Sequence, residues 1–185
     1  RYETDIRTLN QKTAPFINTG NPVSYVIEFE NGVKFYFGAD TGPIADMKLV
    51  IGDYYKPDVA FLPIGNYYTM DPKGAAFSAY LINPTSYVVP NHYASYPMLV
   101  QKPDEFFAEV AKYGLRAKPL GFEIGKEKEV LGVKVLWLGH GDWLFETPDG
   151  TKILIDPEVE YNAKYPEEYK DLTKFGRIDL ILISH

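Results

Sequence analysis

The segment Asp179-Leu-Ile-Leu-Ile-Ser-His185 constrains this chain more than any other. An uninterrupted aliphatic run with no polar alternation is the pattern of a strand buried on both faces, so it asks for a sheet with a covering layer on each side. It also delivers a histidine at its carboxyl end, the place where open α/β sheets hold ligands and reacting groups.

The preceding residues supply such a frame. Ser24–Glu30 and Val33–Gly38 are β-rich runs separated by Asn31-Gly32, the signal for a two-residue hairpin turn. Ile44, Met47, Val50, Ile51 and Tyr54 share one face at helical spacing, and Pro57 closes that helix. Val59–Ile64 reads as a buried strand, and Asp71-Pro72 supplies an N-cap and a first-turn proline for a helix to about Ile82. Ser86–Val89 is a short strand leading into Pro90 and His92, and Pro103-Asp-Glu opens a helix that Gly114 ends. Strand and helix in alternation predict an α/β layer. The charged stretch Gly125-Lys-Glu-Lys-Glu129 reads as a loop connector. Strands follow over Val133–Leu138, Trp143–Thr147 and Lys152–Ile155, then a short helix over Pro166–Phe175 and the terminal strand Ile178–Ser184. Residues 1–21 are polar and aperiodic and read as an arm or loop.

Composition narrows the function. At 185 residues and 45% hydrophobic content the chain can bury one core. A net charge of -6 with no Lys/Arg cluster leaves little to neutralise a phosphate backbone, so no nucleic-acid partner is expected. Cysteine is absent, which removes disulfides and thiolate nucleophiles, so any metal must be held by His, Asp or Glu. No apolar stretch approaches the ~18–20 residues of a membrane span and no signal sequence opens the chain, so a cytoplasmic location is expected. The first residue is Arg1 rather than Met, and both ends are read as open to processing or continuation. The fifteen tyrosines are dispersed among apolar residues and are expected to pack half-buried with wet hydroxyls. Neither a Gly-rich phosphate loop nor a Gly-x-Ser-x-Gly elbow is present, so no nucleophilic side chain stands out.

The chain has only three histidines. His185 reads either as a metal ligand at a strand tip or as a terminal residue left by truncation or a tag. His92, in Val88-Val-Pro-Asn-His-Tyr93, follows a strand and reads as a ligand or as a packed structural residue. Asp40 lies in Phe37-Gly-Ala-Asp-Thr-Gly42, where flanking glycines let the backbone turn sharply and expose the carboxylate; an ordinary turn is the alternative. Carboxylate and imidazole together suit zinc, iron or manganese. His140, in Trp137-Leu-Gly-His-Gly-Asp142, reads as structural or as supporting a ligand. Asp156, in Leu154-Ile-Asp-Pro157, reads as a carboxylate able to orient a ligating histidine or as a strand-ending turn.

Several words match a known pattern in order. Gly20-Asn-Pro-Val-Ser-Tyr-Val-Ile-Glu-Phe-Glu30, Gly38-Ala-Asp-Thr-Gly42, Asp46-Met-Lys48, Tyr55-Lys-Pro-Asp-Val-Ala-Phe-Leu-Pro-Ile-Gly65, Thr69-Met-Asp-Pro72 and Val89-Pro-Asn-His-Tyr93 resemble the carboxyl-terminal half of a family of small metallo-β-lactamase-fold, metal-dependent hydrolases. Val133-Lys-Val-Leu-Trp-Leu-Gly-His140, Thr151-Lys-Ile-Leu-Ile-Asp-Pro157 and Asp179–His185 resemble its amino-terminal half. The resemblance implies an α/β fold of four-layer αββα type. It implies one domain over 1–185, with 1–125 matching the family's second half and 132–185 its first, in the order of a circular permutation joined near Lys126–Gly132. It implies Asp40, His92 and His185 as metal ligands, Asp40 and His185 as catalytic residues, and a metal-activated water attacking an ester, amide, lactone or phosphodiester in a small-molecule substrate. Zinc is the expected metal, with manganese or iron as alternatives, and a homo-oligomer is compatible with the pattern. The family's His-x-Asp-His stretch has no counterpart, and Tyr2 or its neighbours stand where a further histidine is expected. Two readings therefore stay open: a metal-dependent hydrolase, or a metal-depleted, non-catalytic scaffold or fragment completed by another chain.

Overall fold

A computed structural model describes residues 22–185; the expected arm and the position near Tyr2 lie outside the described residues. The first sheet has the order β1 (Tyr25–Glu28), β2 (Lys34–Phe37), β3 (Val59–Pro63), β4 (Tyr87–Asn91), β5 (Lys118–Pro119). β1 and β2 pair antiparallel, and the remaining pairs are parallel. The β1–β2 connection is a three-residue loop rather than the expected two-residue one. Phe29 N–H donates to Val33 C=O at 2.9 Å, Gly32 N–H donates to Phe29 C=O at 2.8 Å, and Gly32 takes φ +80°. Only the last loop residue thus needs a left-handed backbone, which glycine supplies without a Cβ clash.

The parallel pairs require crossovers, supplied by helices. α1 (Pro72–Ile82) starts as predicted: the Asp71 carboxylate accepts from Gly74 N–H at 2.7 Å, and Pro72 occupies the first turn. Its inward face is small, with Ala75, Ala76, Ser78 and Ala79 buried, so it packs close to the sheet. α2 (Asp104–Lys112) buries Phe106 and Val110. Between β2 and β3 the chain forms a wide helix over Met47–Tyr55, closed by a Lys56 N–H to Ile51 C=O bond at 2.9 Å. Its expected apolar face is not inward: Ile44, Val50 and Tyr54 are exposed, and Met47 is its one buried residue. Gly52 explains the rotation, because a Cβ there would stand 2.7 Å from the Ile82 carbonyl oxygen. Backbone, not side chain, meets α1.

The second sheet has the order β10 (Leu180–Leu182), β9 (Lys152–Ile155), β8 (Asp142–Glu146), β7 (Val133–Gly139), β6 (Glu127–Val130). β6 is a correction, since its charges read as loop. Val130 pairs with Val133 across Leu131-Gly132, whose φ values of +54° and +83° define the mirror-image two-residue turn that suits twisted hairpins. Charge on a strand marks an edge that must stay in water, and Glu127, Lys128 and Glu129 are exposed. The helix expected over Pro166–Phe175 is reduced to two single 3₁₀ turns, Glu167–Tyr169 and Leu172–Phe175. The terminal strand is also a correction: it spans three residues, pairs only with β9, and is not buried on both faces.

The two sheets meet face to face. Phe61 of β3 contacts Trp143 and Phe145 of β8 with ring centroids 4.9 and 5.4 Å apart, and Phe35 lies 5.5 Å from Phe145. α1, α2 and the wide helix cover the first sheet's outer face. On the outer face of the second, Tyr165 and Phe175 close over Leu136, Leu138, Leu144 and Leu154. The layering is αββα, with the last layer built by single turns. No helix among the described residues is long and apolar enough to cross a membrane.

Candidate functional site

Strand direction brings the polar residues together. β2 and β4 run the same way, so both release chain at one edge of the first sheet, giving Asp40 and His92. β7, β9 and β10 share a direction in the second sheet and release His140, Asp156 and His185. The two edges touch where His92 N–H donates to His140 C=O at 3.1 Å. Four residues at this rim have left-handed backbones that are unusual outside glycine: Ala39 (φ +50°), His92 (+54°), His140 (+54°) and Asp156 (+46°). Such strain, roughly 1–3 kcal/mol each, gathers where geometry serves a site. The sharp turn before Asp40 is thus carried by Ala39 and not by its flanking glycines. Gly65 at the end of β3 is required for another reason: a Cβ there would lie 2.3 Å from the His92 carbonyl oxygen.

Asp40, His92 and His185 lie together. Asp40 Oδ1 is 3.2 Å from His92 Nε2, and Asp40 Oδ2 is 3.6 Å from His185 Nε2. His140 joins them, its ring centroid 3.8 Å from that of His92. The opposite wall holds groups the sequence did not single out. Glu158 Oε2 is 4.0 Å from His140 Nε2, Tyr96 OH donates to Glu158 Oε1 at 2.9 Å, and Asp142 Oδ2 accepts from Glu158 N–H at 2.8 Å. Glu158 and Asp142 also line the cavity of about 230 Å³ that all three histidines and Asp40 share. Glu158 and Tyr96 sit on irregular segments without a motif; the word Gly-His-Gly-Asp142 was the one available signal for Asp142.

Burial dominates the electrostatics. It pushes the His92 imidazole below its ordinary value, with the Asp40 charge opposing, and it takes His140 down to about 3, helped by the two neighbouring histidines. Both rings are therefore neutral, the form that ligates cations. Burial raises Asp142 to about 8, and burial followed by the Glu158 hydrogen bond raises Tyr96 to about 12. The Nδ1 atoms of His92 and His140 are buried without a hydrogen-bond partner. Among the described residues no three His, Asp or Glu side chains close into a ready cage for a metal ion, and Asp40 offers a different oxygen to each imidazole.

Two facing mixed sheets that gather histidines and carboxylates at strand ends from both define a metallo-β-lactamase-type fold. The sequence model described as the beta-lactamase superfamily domain matches residues 5–93, just under half of the chain. A metal-dependent hydrolase of Caldivirga maquilingensis is 52% identical over 87 residues, covering 47% of this chain and 37% of the relative. One of Methanopyrus kandleri is 44% identical over 110 residues, covering 60% of this chain and 46% of the relative. A solved metallo hydrolase of the archaeon Ignicoccus hospitalis shares 39% identity at a TM-score of 0.51, over 57% of this chain and 44% of that one. The chain thus spans less than half the length of these relatives.

Proposed function

We propose that this chain carries the site of a metal-dependent hydrolase, with Asp40, His92 and His185 as the groups that hold the ion. One observation carries the reading: a single carboxylate faces two imidazole Nε2 atoms at 3.2 and 3.6 Å. Two ligands each ~2.1 Å from a tetrahedral ion stand ~3.4 Å apart, so both separations match the edge of such a shell. The donor set also fits, because burial keeps His92 neutral. Zinc suits these donors best, with manganese or iron as alternatives; when bound, the ion supplies a water of pKa ~7 and polarises the electrophile. Asp40, with one oxygen toward each imidazole, would orient that water, and His185, half exposed, stands where a substrate would enter the cavity. Substrates are small esters, amides, lactones or phosphodiesters; the chain's net charge of -6 disfavours nucleic acid, and its setting is the cytoplasm.

The order of the two halves is read as a circular permutation within one domain, with the junction near Lys126–Gly132. The core shared by the two sheets supports this. The second reading, a non-catalytic scaffold or a fragment completed by another chain, draws on the lack of a ready three-ligand cage among the described residues. Elemental analysis of untagged protein after zinc incubation and desalting separates the two. Retained zinc that falls at least tenfold in Asp40→Ala supports the hydrolase site. Zinc held equally by the variant moves ligation elsewhere, and no zinc in either protein favours the scaffold.

A further inference from the structure

Asp156, Ser184 and His185 form an unbroken hydrogen-bonded chain. Asp156 Oδ1 accepts from the Ser184 backbone N–H at 2.6 Å, and Asp156 Oδ2 accepts from the Ser184 hydroxyl at 2.7 Å. Ser184 Oγ lies 2.7 Å from His185 Nδ1. A serine hydroxyl has one proton. With that proton directed to Asp156, Ser184 can only accept at its contact with His185, so Nδ1 must carry the ring proton. Nε2 is then a bare lone pair, 3.6 Å from Asp40 Oδ2. Ser184 is buried although the His185 ring is half exposed, so water does not compete at the middle link.

The other imidazole facing Asp40 is that of His92, whose Nε2 stands 3.2 Å from Asp40 Oδ1.

We propose that Asp156 and Ser184 are positioning residues that set the tautomer of His185, holding Nε2 as the pre-set electron-pair donor of the site. The use of this arrangement rests on the hydrolase reading; the tautomer itself is a property of the metal-free protein.

Long-range ¹H–¹⁵N correlation spectra of metal-free, untagged protein, above the pH at which the imidazoles are neutral, read the tautomers directly. His185→Gln identifies the His185 signals. The expected wild-type result is a protonated Nδ1 and a bare Nε2 on His185. Asp156→Asn turns an amide N–H₂ toward Ser184, redirects the hydroxyl proton to His185 Nδ1, and should reverse the tautomer. Ser184→Thr should keep it, and Ser184→Ala should relax it to the mixture of free imidazole. A wild-type His185 protonated on Nε2, or a wild-type mixture equal to that of Ser184→Ala, overturns the proposal, and this comparison decides even if Asp156→Asn does not fold. An intact tautomer in a protein that binds no zinc would overturn the hydrolase reading alone.

Discussion

β3 and the run containing β10 are the same kind of sequence with opposite fates. Val59, Ala60, Phe61 and Leu62 are fully buried, whereas Leu180, Ile181 and Ile183 are 46%, 54% and 53% exposed. β3 lies between β2 and β4, under α1 on one face and against Trp143 and Phe145 on the other. β10 pairs with β9 alone, and the covering residues Tyr165 and Phe175 reach β7, β8 and β9 but stop short of it. An apolar run states what a strand requires; its neighbours decide whether that is met. Yet β10 still delivers His185, because Asp156 N–H donates to Leu182 C=O at 3.0 Å and Ser184 is tied to the Asp156 carboxylate. Burial of a strand and delivery of a residue at its tip are separable tasks here.

The largest effect should come from the buried member. Phe61→Ala removes a ring packed against four other aromatic side chains and is expected to cost ~3–5 kcal/mol, read from the denaturant midpoint. A cost under ~1 kcal/mol would break the contrast, since it would place β3 outside the cooperative core.

An intermediate effect should appear at the rim between the sheets. Asp142, raised to about 8 by burial, holds its proton in the fold at pH values where the unfolded chain has lost it. Below the ordinary carboxyl value both states are protonated and nothing is lost, so stability declines as pH rises from that value toward about 8. Metal-free Asp142→Asn should therefore lose less stability than wild type between about pH 5 and about pH 9, by on the order of 2 kcal/mol. Parallel pH profiles in thermal melts would remove Asp142 as the cause.

The smallest effect is expected on β10, where Ile181→Ser should change stability by no more than ~0.5 kcal/mol. A loss above ~2 kcal/mol would sharpen the comparison differently, by showing that this edge is covered in solution.

Asp40, His92 and His185 each follow a strand word, but local pattern left each with a plain structural alternative, and only the resemblance grouped them; Asp156 was visible as a carboxylate at a strand end. His140 was visible but not as a cavity residue, since its place depends on the His92 backbone meeting it from the other sheet. Glu158 and Tyr96 carry no local signal, because their position follows from the path of loops over the rim. Misread segments have the same origin. Glu127–Val130 looked like loop because charge marks both loops and edge strands, and the Met47–Tyr55 helix turned its expected face outward because Gly52 lets its backbone seat on α1.

Local chemistry determined the start of α1 at Asp71-Pro72, the strand runs, and the residue types waiting at their tips, because backbone capping and side-chain alternation act within a few residues. Only the tertiary structure decided that Asp40 would stand between His92 and His185, that Asp142 would be buried, and that Leu180–Leu182 would lie at an uncovered edge. Each of these depends on which distant element arrives opposite, and that information is spread over the whole chain rather than held in any one stretch of it.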